Sequence, residues 1–459
     1  MSSTVESLPE SFYTQFLSEV AKSRKPSPIR SLLPLEATPG LLSLLAGKPN
    51  PASFPFTSLS FTARSPPAEG QTSGEEEQEI SLKNQDLAAA LQYGPTNGMP
   101  GLVDWFYELQ RVVHGRERSE GWALSVGSGS QDLVSKALIA LLNPGDPVLV
   151  QSPVYAGVIP LFDSLKCQQI EVEADANGIS TDALRRTLTA WPSDKPKPRI
   201  LYTIPFGGNP TGATATLERR REVLALAREH NLLILEDDPY YYLYFAHEDT
   251  RPPSYFAMER SDPSCAGHPV GRVLRLDSLS KVLSAGIRIG WASGPAPLLR
   301  AIDAHTATAN LQPAGLTQAI ALALLTSRDW GHTGFLRHTK EVAALYTSKR
   351  DIFEAAMQRH LGAEALAEWT KPESGLFFWF KLLVPGDDAD GDSAALVRTR
   401  AFERGVLALP GTVFLPDGRK TGYVRAAFSL LEPEQVDEAL GRLAQAVRDA
   451  RAALVEGKE

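Results

Sequence analysis

From about residue 85 to residue 330 the chain alternates apolar runs of strand length with stretches of helical apolar spacing, and few architectures accept that order. The runs are Val148–Val150, Arg199–Ile204, Leu232–Leu235, Val273–Leu276 and Gly290–Ala292. Short runs that alternate with helices predict a mostly parallel sheet flanked by helices, because parallel neighbours need a crossover long enough to contain a helix. After about residue 330 the pattern changes to a long helix from Gly334 to His360, strand-like Gly375–Phe380 and Tyr423–Phe428, and a final helix from Glu432 to Leu454. In that last segment Val436, Leu440, Leu443 and Val447 recur at helical spacing. The expectation is an α/β protein with a large domain over residues 61–330 and a smaller α+β domain over 331–459. Residues 1–60 are expected to form an N-terminal arm and part of the smaller domain.

The arm reads as one short amphipathic helix around Ser11–Ala21, followed by Pro26, Pro28, Pro34, Pro39, Pro49, Pro51 and Pro55, a density that keeps a chain extended. Residues 64–80 are acidic and rich in Gly, Pro and Ser, and read as a solvated loop insertion without assigned function. A chain of 459 residues with 43% hydrophobic and 22% charged residues can bury a large core. Its net charge of −8 gives no electrostatic footprint for nucleic acid or an anionic membrane, so any phosphate site has to be local.

Two cysteines, Cys167 and Cys265, lie far apart without Cys-x-x-Cys spacing, which supports neither a disulfide framework nor a zinc site and fits a reducing compartment. The eight histidines are scattered, and none is assigned to a metal. Glu6, Glu10 and Glu19 argue against an acid-poor transit peptide, and no apolar run has the length of a bilayer span. A cytoplasmic location is expected.

The ends of the apolar runs carry the chemistry. Lys281 stands in Asp277-Ser278-Leu279-Ser280-Lys281, with Arg288 seven residues on. An amine at a strand's end among hydroxyls, with a guanidinium behind it, can hold a phosphorylated aldehyde as a Schiff base. Gly127-Ser128-Gly129-Ser130-Gln131 opens a helix whose Leu133, Ala137, Leu138 and Leu141 share a face. Such an N-terminus is either simple capping or, with Arg288, Ser278 and Ser280, a phosphate cup. Asp237 ends the Leu232–Glu236 run, where ligands gather in open α/β sheets, and would suit a protonated ring nitrogen; Asp238 fits a turn role better. Tyr240 and Asn209 could both reach a phenolic oxygen on such a ring, and Tyr155 could stack on its face.

Taken in order, Gly-Ser-Gln at 129–131, Asn-Pro-Thr-Gly at 209–212, Asp-Asp-Pro-Tyr at 237–240, Ser-x-Ser-Lys at 278–281 and Arg288 resemble the class I/II aminotransferases of fold type I, which use pyridoxal 5′-phosphate. Residues 23–30, Leu45–Pro51, Phe54-Pro55-Phe56 and Leu91–Pro95 resemble, more narrowly, the fungal aromatic amino acid aminotransferases and the kynurenine/2-aminoadipate aminotransferases. The resemblance implies Lys281 as the Schiff-base lysine, Asp237 as partner of the pyridine nitrogen, Asn209 and Tyr240 on the ring hydroxyl, and Tyr155 over the ring. It implies Ser130, Gln131, Ser278, Ser280 and Arg288 as phosphate contacts, with Tyr93 reaching the phosphate from the other subunit of a homodimer.

Arg425 in Tyr-Val-Arg-Ala-Ala-Phe-Ser matches the arginine that grips the substrate α-carboxylate, while Arg24 and Gly47 match substrate-side positions. The implied reaction is a ping-pong exchange between an aromatic or related amino acid (tyrosine, phenylalanine, tryptophan, kynurenine or 2-aminoadipate) and 2-oxoglutarate. A β-lyase or decarboxylase on the same scaffold, and a cofactor-binding transcriptional regulator, stand as alternatives. Two features depart from the relatives: Gly207-Gly208 before Asn209, and the acidic insertion.

Overall fold

The computed structural model describes residues 6–25, 27–29, 31–45, 47–67, 76–246, 250–384 and 391–455. Pro26, Arg30, Ala46 and residues 68–75 of the acidic insertion lie outside the described residues. Strand β1 (Ser58–Arg64) pairs antiparallel with β2 (Glu77–Lys83), from Ser58 opposite Lys83 to Arg64 opposite Glu77. The expectation of a loop over 64–80 is therefore corrected at both ends. Beneath the charge, Glu77-Gln78-Glu79-Ile80-Ser81-Leu82-Lys83 alternates with period two, which buries Ile80 and Leu82 and leaves Glu77 and Glu79 in solvent.

The large sheet is built from β3 (Trp122–Gly127), β4 (Pro147–Ser152), β5 (Gln168–Asp175), β6 (Gly178–Ile179), β7 (Ile200–Thr203), β8 (Leu233–Asp237), β9 (Val273–Ser278) and β10 (Gly290–Pro295), in the order β3-β10-β9-β8-β7-β4-β5-β6. Strands β5, β4, β7, β8 and β9 run parallel; β10 is antiparallel to both β9 and β3. Strands β3 and β5 were not among the expected apolar runs. Each interleaves polar residues, Ser125 in one and Glu171 and Glu173 in the other, so neither is continuously apolar. The C-terminal ends of β4, β7, β8 and β9 lie on one edge of the sheet, the edge at which open α/β sheets bind ligands.

A second sheet, antiparallel in the order β11-β12-β14-β13, comprises β11 (Ala367–Trp369), β12 (Phe377–Leu382), β13 (Leu409–Pro410) and β14 (Tyr423–Ala427). The helices Gly331–Met357 and Pro433–Val455 cover it, giving a core that includes Phe353, Met357, Phe378, Phe380, Val424, Leu440 and Val447. Each such side chain contributes about 1.5–3 kcal/mol by leaving water. The helix Gly331–Met357 serves both cores, since Phe335 is buried with the large sheet and Phe353 stacks on Phe378 at 5.2 Å.

In the arm, the expected single helix over 11–21 is two pieces, a 3₁₀ segment Glu10–Phe16 and a helix Glu19–Ser23 capped by Ser18, which accepts from the Ala21 amide. Tyr13 and Phe16 are buried in the core of the large sheet, and no described residue of the arm belongs to the second core.

The two cores meet through backbone. Gly207 (φ +52°) and Gly375 (φ +83°) are so close that a Cβ on Gly207 would stand 2.6 Å from the Gly375 Cα. The Thr214 and Ser374 hydroxyls hydrogen-bond at 2.7 Å, the Gly375 amide donates to the Leu243 carbonyl, and the Phe245 amide to that of Glu373. This seam seats β12, and with it Phe377, beside the C-terminal edge of the large sheet.

Candidate active site

Above the ends of β3, β9 and β10 the sequence builds a cup. Gly129 takes φ +88° as the helix Ser130–Leu141 begins, and a Cβ there would collide with the Arg288 guanidinium. That guanidinium donates to the Ser280 hydroxyl (3.0 Å), the Ala285 carbonyl (3.1 Å) and the Ser128 carbonyl (3.0 Å), and no described carboxylate pairs with it. Ser278 is buried at the end of β9, and its hydroxyl accepts from the Ser280 amide at 3.1 Å. The first-turn amides of the helix at Ser130 and Gln131 have no intrahelical acceptor, so helix N-terminus, hydroxyls and guanidinium face the same space. The Gln131 side chain is otherwise engaged: it donates to the Gly157 carbonyl at 2.7 Å and so fixes the turn carrying Tyr155.

Asp237 closes β8 and is buried, 3% exposed. The Tyr202 hydroxyl donates to its Oδ2 at 2.7 Å, while its Oδ1 has no hydrogen-bond partner. Burial pushes its carboxyl up to about 7, with Tyr202, Asp238 and Lys281 modifying that result. An unpaired acceptor held this deep costs about 1–3 kcal/mol, and a cationic donor would relieve it. Asp238, buried beside it, is engaged elsewhere. Arg275 pairs with Asp238 at 3.0 Å and with Asp277 at 2.7 Å, beneath the site.

Lys281 ends the short turn after β9, its amine 6.0 Å from the Tyr240 ring centre. Burial, then the charge of Arg288, lowers its pKa, while Asp237 opposes them. Tyr240 is buried, bonded to Asn209, and set edge-on to Phe377. Tyr155 is half-buried, and its ring lies where a Cβ on Gly157 would be.

Arg425, in β14, reaches across the seam. Its Nη1 donates to Asn209 Oδ1 at 2.8 Å, and its guanidinium lies 4.1 Å from the Phe377 ring centre and 5.2 Å from that of Phe414. Among the described residues no carboxylate pairs with it, and burial lowers its pKa. A desolvated cation over aromatic faces gains about 2 kcal/mol, yet its Nε remains buried without a partner. Lys281 thus stands among Arg288, Asp237 and Arg425, each of which acts on its amine, and that surrounding suits a ligand with both a phosphate and a carboxylate.

Eleven of the residues singled out from sequence converge here: Tyr155, Ser130, Gln131, Asn209, Asp237, Tyr240, Ser278, Ser280, Lys281, Arg288 and Arg425. Three do not meet them within one chain. Tyr93 is 55% exposed beside Pro49, Phe54 and the 310–315 loop. Arg24 lies beside His305 on the helix Ala296–Ala309. Gly47 is exposed, with open space around it.

Sequence reasoning missed Tyr202, Phe414 and Arg275. Arg275 left a signal, a charge inside the run Val-Leu-Arg-Leu, which a buried strand tolerates only with acidic partners. No group of three or more metal-ligating side chains occurs among the described residues, and none of their helices is long and apolar enough to cross a membrane.

Comparison with known proteins follows the same line. The family model for aminotransferase class I and II matches residues 74–443. The aminotransferase tdiD of Emericella nidulans is 41% identical over 431 residues, covering 94% of this chain and 95% of that protein. The mitochondrial kynurenine/alpha-aminoadipate aminotransferase of Mus musculus is 36% identical, covering 95% and 99% respectively. Among solved structures, the aminotransferase Aro8 from Candida albicans superimposes with a TM-score of 0.84 at 26% identity, over 98% of this chain and all of that one.

Proposed function

The chain belongs to the class I and II aminotransferases, and from that premise we propose that it works through pyridoxal 5′-phosphate bound among Lys281, Asp237 and the Arg288 cup. The observation that carries this is the buried Asp237 Oδ1, left without a hydrogen-bond partner beside the Lys281 amine. When bound, the cofactor supplies a cationic ring that accepts electron density from the substrate Cα. Asp237 holds that charge through Oδ1. Ser130, Gln131, Ser278, Ser280 and Arg288 hold the phosphate, Asn209 and Tyr240 the ring oxygen, and Tyr155 covers the ring face. The Lys281 amine would hold the cofactor's aldehyde group, and when free its Nζ would move the substrate α-proton, a role favoured by its lowered pKa.

Arg425 binds the α-carboxylate common to amino acid and 2-oxo acid by a two-pronged pair, with Phe377 and Phe414 behind it. Aromatic or related donors (tyrosine, phenylalanine, tryptophan, kynurenine, 2-aminoadipate), with 2-oxoglutarate as acceptor in a ping-pong cycle, agree with these rings and with the kynurenine/alpha-aminoadipate relative. The exposed Tyr93, Leu35, Leu41, Leu42 and Leu44 suit a homodimer in which Tyr93 completes the partner's cup, and in which Arg24 and Gly47 sit toward substrate. Mixed dimers of Lys281→Ala and Tyr93→Ala chains should regain activity that neither homodimer has.

The assignment of 1–60 as an arm and part of the small domain, 61–330 as the cofactor domain and 331–459 as the rest of the small domain belongs to the same reading, as does a cytoplasmic location suggested by two unpaired cysteines. Cell fractionation tests the location, since the mouse relative is mitochondrial. Borohydride reduction of the loaded enzyme and peptide mapping test the centre of the proposal: the pyridoxyl label is expected on Lys281, and a label elsewhere would refute it.

A further inference from the structure

We propose that Tyr202 is a positioning residue for this reaction: its hydroxyl holds one oxygen of Asp237 so that the other is presented to the ring nitrogen of the cofactor. The inference rests on the role of Asp237 proposed above. Tyr202 lies in β7, opposite Leu235 of β8, and is 1% exposed. Its ring is set edge-on to Phe162 at 6.0 Å, and its hydroxyl donates to Asp237 Oδ2 at 2.7 Å. Oδ1 is left as the unpartnered oxygen.

A carboxylate accepts from several directions, so one fixed donor decides which oxygen remains for a ligand. The other groups facing Asp237 are Asp238 on its own loop, Lys281 after β9, and the phenols of Tyr155 and Tyr240. Of these, Asp238 is paired with Arg275, Tyr240 is bonded to Asn209, and Lys281 acts on Asp237 through space. Tyr202 is therefore the one side chain that hydrogen-bonds the carboxylate among the described residues. Burial, then the nearby Asp237 charge, keeps its phenol protonated, so its O–H remains available to donate to the carboxylate. Such a bond favours the ionised acid and counters the burial that disfavours it.

The test compares two ligands on full-length protein freed of cofactor: pyridoxal 5′-phosphate, and its carbocyclic analogue with C–H in place of the ring nitrogen. Tyr202→Phe keeps the packed ring and removes only the hydroxyl. It should weaken pyridoxal 5′-phosphate by roughly tenfold or more, the scale of a lost hydrogen bond to a charged group, and leave the analogue within about twofold. The pH at which affinity falls on acidification should rise by about one unit, because the acid then ionises less readily. Equal weakening of both ligands, or of neither, would overturn the proposal. Asp237→Asn in the same assay separates the two claims. If it discriminates between the ligands and Tyr202→Phe does not, only the role of Tyr202 fails; if it does not discriminate, the reading of Asp237 fails and this proposal with it.

Discussion

Replacing Asp237 by Asn in the cofactor-free protein should make it more stable, by an amount that grows with pH. The carboxyl titrates near 3.8 when exposed and near 7 in the folded chain, with burial the main cause. Between those values the folded state holds a proton that the unfolded state has released, so stability falls as pH rises through the window and levels off above 7. Three units at about 1.4 kcal/mol each give a ceiling of about 4 kcal/mol. Asparagine does not titrate and keeps an acceptor for Tyr202, so the variant should match the wild type near pH 4 and exceed it progressively up to pH 8. At roughly 2 °C per kcal/mol for a domain of this size, the difference in Tm approaches about 8 °C. Glu236 and Asp277 are also pushed up to about 7, but they are common to both proteins and cancel in the difference.

Scanning calorimetry at pH 5, 6, 7 and 8 reads the effect directly. With pyridoxal 5′-phosphate added the sign should reverse, since the charged ring then needs the carboxylate. A difference in Tm that is flat or shrinks with pH would refute the argument from burial.

Arg425→Lys should slow the half-reactions of an aromatic donor, 2-aminoadipate and 2-oxoglutarate alike, by about a hundredfold in kcat/KM, because an ammonium cannot reproduce the fork; an effect confined to one side chain would show that Arg425 reads specificity instead. Gly129→Ala, at φ +88° and against the Arg288 guanidinium, should weaken cofactor binding by at least tenfold while inorganic phosphate protects the variant from unfolding less than it protects the wild type. Gly207→Ala, 2.6 Å from Gly375, should cost about 1–3 kcal/mol in thermal unfolding and lower kcat, because the seam seats Phe377 beneath Arg425.

Most of the parallel sheet, the small domain's β12 and β14 and the two long C-terminal helices were legible because local periodicity encodes them, whereas the short β11 and β13 were not: a run such as Leu233–Asp237 buries both faces, and Val436, Leu440, Leu443 and Val447 share one stripe. Position at the end of such a run drew attention to Asp237 and Lys281, and the order of the motifs around them, matched to a known family, supplied their expected roles. Strand β2 escaped because its alternation was hidden under glutamates that face water. The contacts that give the site its character have no local trace. Arg425 meets Asn209 across 216 residues, Tyr202 meets Asp237 from the next strand, and Gly207 meets Gly375 only because two cores pack against each other. Periodicity is set by the geometry of one element, so a short window of residues contains it. A hydrogen bond or a glycine contact between elements depends on how their surfaces pack, and that is specified only by the whole folded chain.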